Sequence, residues 1–195
     1  MTKRDGDDPS PVSEEYLRAH TVGELKPLFA SILVVEYDPE WPRRYQEEAE
    51  KIWRVLSSRV LLLEHVGSTA VPHLPAKPII DILLVVADSA AEVEYVSALE
   101  QAGYHLRIRE PNWYEHRLFK PPGKGVNLHV FSAGCPEIDR MLVFRDRLRS
   151  NPDDRELYAH TKRLLAGRPW KYTQDYADAK TPVVNEILSR AVRKL

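Results

Sequence analysis

The sequence predicts an α/β fold: a mixed β-sheet flanked by helices, followed by a helical C-terminal part. Three observations carry this. Residues 79–86, IIDILLVV, are an almost continuous apolar run of strand length, the pattern of a strand buried on both faces. Strand-like and helix-like segments alternate from residue 32 to residue 131. From Pro136 onward only helical periodicity remains.

In chain order, residues 1–12 are polar and rich in Asp and Pro and read as a disordered leader, and 13–30 as a helical arm. Ser13 caps its first helix, and Thr21 with Glu24 forms a capping box for a second. Residues 31–195 form a single domain, with its sheet core at 31–133 and its helical part at 136–195. Ile32 to Tyr37 reads as the first strand. Asp38 and Pro39 then open a helix whose buried stripe is Trp41, Tyr45, Ala49, Ile52 and Leu56. Val60 to Val66 is the next strand and ends at Gly67-Ser68. After the 79–86 strand, Ser89 and Glu92 box a helix that Gly103 ends. Tyr104–Arg109, Trp113–Lys120 and Val126–Phe131 are strands, the last two joined by the PPGKG turn. Helices follow at about 136–149, 153–166 and 172–193, with Thr181-Pro182 either starting a fresh helix or kinking the last.

Composition excludes several classes. The formal net charge is −1, unlike the basic balance of a general nucleic-acid binder. A single cysteine, Cys135, rules out an internal disulfide framework and a cysteine-based zinc cluster. Cys135 stands at a helix entrance, where a thiol is either activated or simply packed in the loop. The N-terminus lacks a signal-peptide apolar region, and no apolar run is long enough to span a bilayer. A cytoplasmic protein without a membrane partner is expected.

Asp81 is the anomaly, a lone carboxylate in a buried strand. Burial of a carboxylate is costly unless it is paired, so Asp81 is a site residue, a metal ligand or half of an ion pair, for instance with Lys77. Upstream, Gly67-Ser68 lets backbone amides approach a phosphate, with the Ser68 and Thr69 hydroxyls beside them. Twelve residues separate Ser68 from Asp81. A Gly-Ser turn, a spacer of this length and an Asp on a strand match the general nucleotidyltransferase pattern.

Residues 64–82, EHVGSTAVPHLPAKPIIDI, closely resemble the signature of the GrpB family, which is assigned to the nucleotidyltransferase superfamily. The likeness continues through NLHVF (127–131), FRDRLR (144–149), Tyr158 with Lys162, and YADAK (176–180), and covers roughly residues 32–193. The resemblance implies a nucleotidyltransferase-like sheet, and a nucleotide or coenzyme A context by analogy with dephospho-CoA kinases to which the domain is fused.

Active nucleotidyltransferases carry a second carboxylate two residues after the first and a third on a neighbouring strand, which together hold two Mg²⁺ ions. Here the second position is Leu83 and the third is His129. The candidate metal set is therefore Asp81, His129, His65 and Glu115, for Mg²⁺ or Mn²⁺, or for Zn²⁺ given the imidazoles. His116 alternates in phase with Tyr114 and Leu118. Lys77, Arg117 and Lys120 are expected to neutralise phosphate, with Asp81, Lys77 and Arg117 as the catalytic set. Arg107 and Arg109 share a predicted face. Arg145, Arg149, Lys162 and Lys180 either close over the site or pair with Asp146 and Asp178. Trp113, Tyr114 and Trp170 are candidates to stack on a base.

The reading is a nucleoside-triphosphate-dependent transferase, ATP being the expected nucleotide, that carries out nucleotidyl transfer or adenylylation-type activation of a small-molecule acceptor. Two alternatives stand beside it. One is a non-catalytic nucleotide- or CoA-sensing or partner-docking module, and the other a metal-dependent enzyme of different chemistry.

Overall fold

A computed structural model describes residues 12–28, 31–123 and 125–192 of the chain. Five strands, β1 (Leu62–Val66), β2 (Ile80–Val86), β3 (His105–Glu110), β4 (His116–Lys120) and β5 (Val126–Ser132), form one sheet in the order β1-β2-β5-β4-β3. β2 is antiparallel to β1 and parallel to β5, and β4 is antiparallel to both β5 and β3. The mixed sheet flanked by helices is the α/β architecture that the sequence predicts.

Strand parity divides this sheet into two unlike faces. Ile80, Ile82 and Leu84 of β2, with Leu128 and Val130 of β5 and Phe119 of β4, face the main core. There they meet α2 (Trp41–Leu56) and α3 (Val96–Gln101) through Trp41, Ile52, Leu56 and Leu99. Each such side chain stabilises the fold by about 1.5–3 kcal/mol when fully buried. On the other face Val66, Leu83, Val85 and Phe131 pack against α4 (Pro136–Ser150) through Ile138. The residues of that face at the other end, Asp81, Asn127 and His129, line a cleft instead.

The C-terminal helices wall this cleft. α4, α5 (Pro152–Ala166) and α7 (Thr181–Val192) bundle around Leu148, Tyr158, Val183 and Ile187, which cover Val71 and Leu74 of the segment after Gly67-Ser68. α6 (Thr173–Asp178) stands between α5 and α7, and Thr181-Pro182 does begin a separate helix. The N-terminal arm contributes α1 (Glu14–His20), capped by the Ser13 hydroxyl, which accepts from the Tyr16 amide at 3.1 Å.

Several expected elements differ. Residues 32–37 form no strand; Val35 makes only an isolated bridge to Ala76. α2 begins at Trp41 rather than after Asp38, because Asp38 Oδ1 accepts from the Glu40 amide and so closes a turn ahead of the helix. Thr21 and Glu24 open no second helix: Thr21 ends α1 and bridges Ile108. Ser89 caps nothing, since its hydroxyl donates to the Glu115 carbonyl at 2.8 Å. The residues read as a disordered leader fall, but for residue 12, outside the described ones, as does Lys124 of the PPGKG turn. Among the described residues no helix is long and apolar enough to cross a membrane.

Candidate functional site

Asp81 sits one residue into β2, in register with Val66 on one side and Asn127 on the other. Gly67 makes room for it. Gly67 has φ +68°, and a Cβ there would overlap the Asp81 carboxylate and lie 3.0 Å from the Asp81 Cβ. Only glycine accepts both that backbone and that approach. Ser68 then starts a short 3₁₀ turn, Ser68–Ala70. The Thr69 hydroxyl donates to the Ile79 carbonyl at 2.9 Å, which ties the turn to the entrance of β2. Thr69 is buried and structural, not a ligand-binding hydroxyl as expected.

Asp81 is held ionised. Burial would raise its pKa, but His129 in its protonated form, the Asn127 amide (2.7 Å from Asp81 Oδ1) and the Lys180 ammonium offset this and hold the carboxyl below its usual range. His129 Nε2 stands 3.7 Å from Asp81 Oδ1. Behind it, His129 Nδ1 lies 3.1 Å from His116 Nε2, and His116 Nδ1 lies 2.7 Å from Glu110 Oε2. An ionised Glu110 only accepts, so His116 Nδ1 carries a proton and, in a neutral His116, Nε2 accepts from His129 Nδ1–H. The series leaves His129 Nε2 as the group presented to Asp81 and the cleft.

The cleft has a volume of about 530 Å³ and is lined by Gly67, Ser68, Asp81, the exposed ion pair of Lys26 with Glu24 (3.8 Å) and four further lysines, Lys77, Lys120, Lys162 and Lys180. Among the described residues none of the four reaches a carboxylate at ion-pair distance. Lys162, from α5, is almost wholly buried; it donates to the Pro75 carbonyl and lies 4.7 Å from the Tyr158 ring centre. Burial, with Lys180 and Arg163 nearby, pushes its pKa down to about 6. Lys180 lies over the Tyr176 ring at 4.6 Å, and burial lowers its pKa, as it does that of Lys77. Tyr158, beside Ser68, is pushed up to about 12 by burial. Four lysines without a carboxylate partner, Lys162 among them mostly neutral in the free protein, are arranged around Asp81 to receive an anion of more than one charge.

Of the expected site residues, Gly67, Ser68, Lys77, Asp81, Lys120 and His129 meet in this cleft. Arg117, His65 and Glu115 do not. Parity turns Arg117 with Val130 toward the opposite face, where it is buried and binds Glu92 at 2.6 Å and Glu115 at 3.2 Å. Glu115 lies in a turn with φ +50° rather than on the strand. His65 also faces away, stacked on Tyr45 at 4.8 Å, with Nε2 3.0 Å from the Thr69 hydroxyl. The four-residue metal set is thus split across the sheet, and among the described residues no group of three or more His, Cys, Asp or Glu side chains is placed to hold a metal. With Leu83 buried under α4 and lysines as the neighbours of Asp81, the donor set does not fit the two-metal arrangement.

The helical basic residues divide. Lys162 and Lys180 close over the cleft. Arg145 pairs with Glu64 and Asp146, and Arg149 donates to the Ala70 carbonyl. Arg107 lines the cleft because it is the extra residue of a bulge between Leu106 and Ile108, while Arg109 binds Glu92 on the far side. Burial raises the Cys135 thiol, so it is not activated. The arm's contribution, through Leu17, Leu25 and Lys26, had no sequence signal.

Comparison with known proteins adds the lineage. The family model described as GrpB protein matches residues 31–190. A UPF0157 protein of Halalkalibacterium halodurans is 57% identical over 188 residues, covering 96% of each chain. A UPF0157 protein of Streptomyces coelicolor is 46% identical over 156 residues, 80% of this chain and 82% of that one. Among solved structures, conserved protein GrpB from Enterococcus faecalis aligns with a TM-score of 0.74 at 33% identity, covering 83% of this chain and 98% of that one.

Proposed function

The chain belongs to the GrpB family, and from that premise we propose that it is a transferase that binds a nucleoside triphosphate in the lysine-lined cleft and transfers from it to a small-molecule acceptor. One observation carries the reading: Lys77, Lys120, Lys162 and Lys180, with no carboxylate partner among the described residues, surround the Gly67-Ser68 turn and Asp81 in a single cleft. The polyphosphate lies on the lysines, and the turn's backbone amides complete its cradle. Asp81 does not neutralise the phosphates. Its charge orients the lysines and His129 and repels a misplaced anion.

Leu83 favours a second reading, a module that binds the nucleotide without turnover. It lies buried under α4 where a second carboxylate would have to be.

The test is calorimetry with ATP, GTP, CTP, UTP and CoA in the presence of a chelator and then of Mg²⁺, Mn²⁺ or Zn²⁺, followed by a pyrophosphate-release assay. Binding of a triphosphate in chelator, weakened at least tenfold by Lys120→Ala and unchanged or tightened by Asp81→Ala, is expected. Binding that needs a metal and vanishes in Asp81→Ala would replace the lysine cradle with a metal-held one. No binding of any panel member would overturn the nucleotide reading. Binding without turnover selects the module.

A further inference from the structure

A second, smaller compartment opens from the cleft at His129. It has a volume of about 230 Å³, and Leu118, His129 and Met141 line both spaces. Its character differs. The cleft's lysines are absent from its lining, which is mainly apolar, with Trp113, Phe131, Leu118 and Met141 as walls. The walls are ordered by aromatic contacts: Trp113 meets Phe131 at 5.8 Å and His116 at 5.2 Å, and Phe131 stacks on His116 at 4.7 Å. Polar groups also line it, among them Glu137, His20 and Gln174, and the Glu110–His116–His129 series, which ends beside Asp81.

We propose that this compartment seats the second substrate, a small molecule with a compact apolar body and one hydroxyl or amine, and that His129 receives that polar group. This rests on the transferase reading of the neighbouring cleft. Three observations give the ligand its chemistry. A space of this size with mainly apolar walls and no lysine or arginine in its lining suits an apolar body about as large as a benzene ring with a short substituent. His129 stands at the junction, so a polar head bound there faces the phosphates on the lysines. The Glu110–His116 series holds the His129 ring so that Nε2 is the atom offered. In the transfer step the acceptor's proton passes to His129 Nε2 while its oxygen or nitrogen bonds to the α-phosphorus. The bond from that phosphorus to the bridging oxygen breaks, and pyrophosphate leaves on the lysines.

The experiment titrates the full chain with benzyl alcohol, benzylamine and toluene, followed by NMR of the Trp113 indole and the His129 ring, with ATP binding measured separately by calorimetry. Saturable shifts at Trp113 and His129, with benzyl alcohol bound at least tenfold more tightly than toluene, are expected. Trp113→Ala should weaken the probes tenfold or more and leave the ATP heat unchanged. His129→Phe should abolish the preference for the alcohol over toluene. If Trp113→Ala does not fold, Tyr16→Ala, which removes the compartment's roof from the exposed arm, serves with the same expectation. Probes that shift neither resonance, bind equally to the wall variants, or keep the alcohol preference without His129 would overturn the proposal. Failure to bind ATP, with the probe shifts intact, would overturn the nucleotide reading and leave the compartment standing.

Discussion

The two faces of one sheet treat charge in opposite ways. On the face covered by α2 and α3, cations are matched: Arg117 is buried between Glu92 and Glu115, and Arg109 shares Glu92. On the cleft face Lys77, Lys120, Lys162 and Lys180 surround Asp81 without reaching it at ion-pair distance. On the proposed function, the matched face serves folding and the unmatched face takes the ligand. A fold can hold such unmatched charge only by giving up stability in the free state, which an anion restores when it binds.

The largest effect separates the two faces directly. Arg117→Ala removes a buried guanidinium and its ties to Glu92 and Glu115, and should lower stability by about 1–3 kcal/mol, since both carboxylates are partly exposed and Glu92 keeps Arg109. Its ATP affinity at a temperature where it is folded should stay within twofold of wild type. Lys120→Ala should do the reverse, with stability kept or raised and ATP binding weakened at least tenfold. Denaturant melts beside calorimetry read both. If Arg117→Ala weakened ATP binding while the melt was unchanged, the division of the faces would be wrong.

A second effect lies on the matched face itself, at His65. His65 lies on the α2 face, and burial pushes its pKa down to about 4 from an ordinary 6.5. A base with a depressed folded pKa binds fewer protons than the unfolded chain between those two values. Stability is therefore present above pH 6.5 and is lost as pH falls toward 4, by about 3 kcal/mol in all. His65→Gln should remove that part of the acid sensitivity in melts from pH 7 to pH 4. An unchanged slope in His65→Gln would place His65 in a more open setting than the stack on Tyr45 provides.

How much of this was legible depends on whether neighbouring residues or distant ones decide a position. Asp81, Gly67 and Ser68 could be read because a lone carboxylate in IIDILLVV and a glycine before a strand-ending turn are local anomalies. Lys162 and Lys180 stood out only as parts of family-like blocks; that they close over the cleft rather than pair with Asp178 is set by how α5 and α6 pack. Arg117 and His65 were misplaced by one step of parity, since in a strand adjacent residues point to opposite sides and a spacing argument does not say which side faces the site. Arg107 was placed beside Arg109 for the same reason, because nothing in HLRIRE announces the bulge that turns it into the cleft. Residues 32–37 have the composition of a strand but find no partner beyond the single Val35–Ala76 bridge.

The smallest effect concerns Lys162, the most buried of the cleft lysines. With a pKa near 6 in the free protein it is mostly neutral at pH 7.5. The unfolded chain, with an ordinary lysine, binds one proton more between pH 6 and about 10, so the free protein gains stability as pH rises through that window. A polyphosphate beside Lys162 favours the charged form and raises its pKa. Binding at pH 7.5 must then draw in up to about one proton, and affinity must increase as pH falls from 8 toward 6. Titrations in Hepes and in Tris, whose ionisation heats differ, read that uptake from the difference in apparent enthalpy. Lys162→Met should abolish the Lys162 part of the uptake, flatten the pH dependence and raise the melting temperature of the free protein. If uptake persisted unchanged in Lys162→Met, the proton would have to land elsewhere on the cleft face. His129, with Asp81 before it and His116 behind it, is the next group to test.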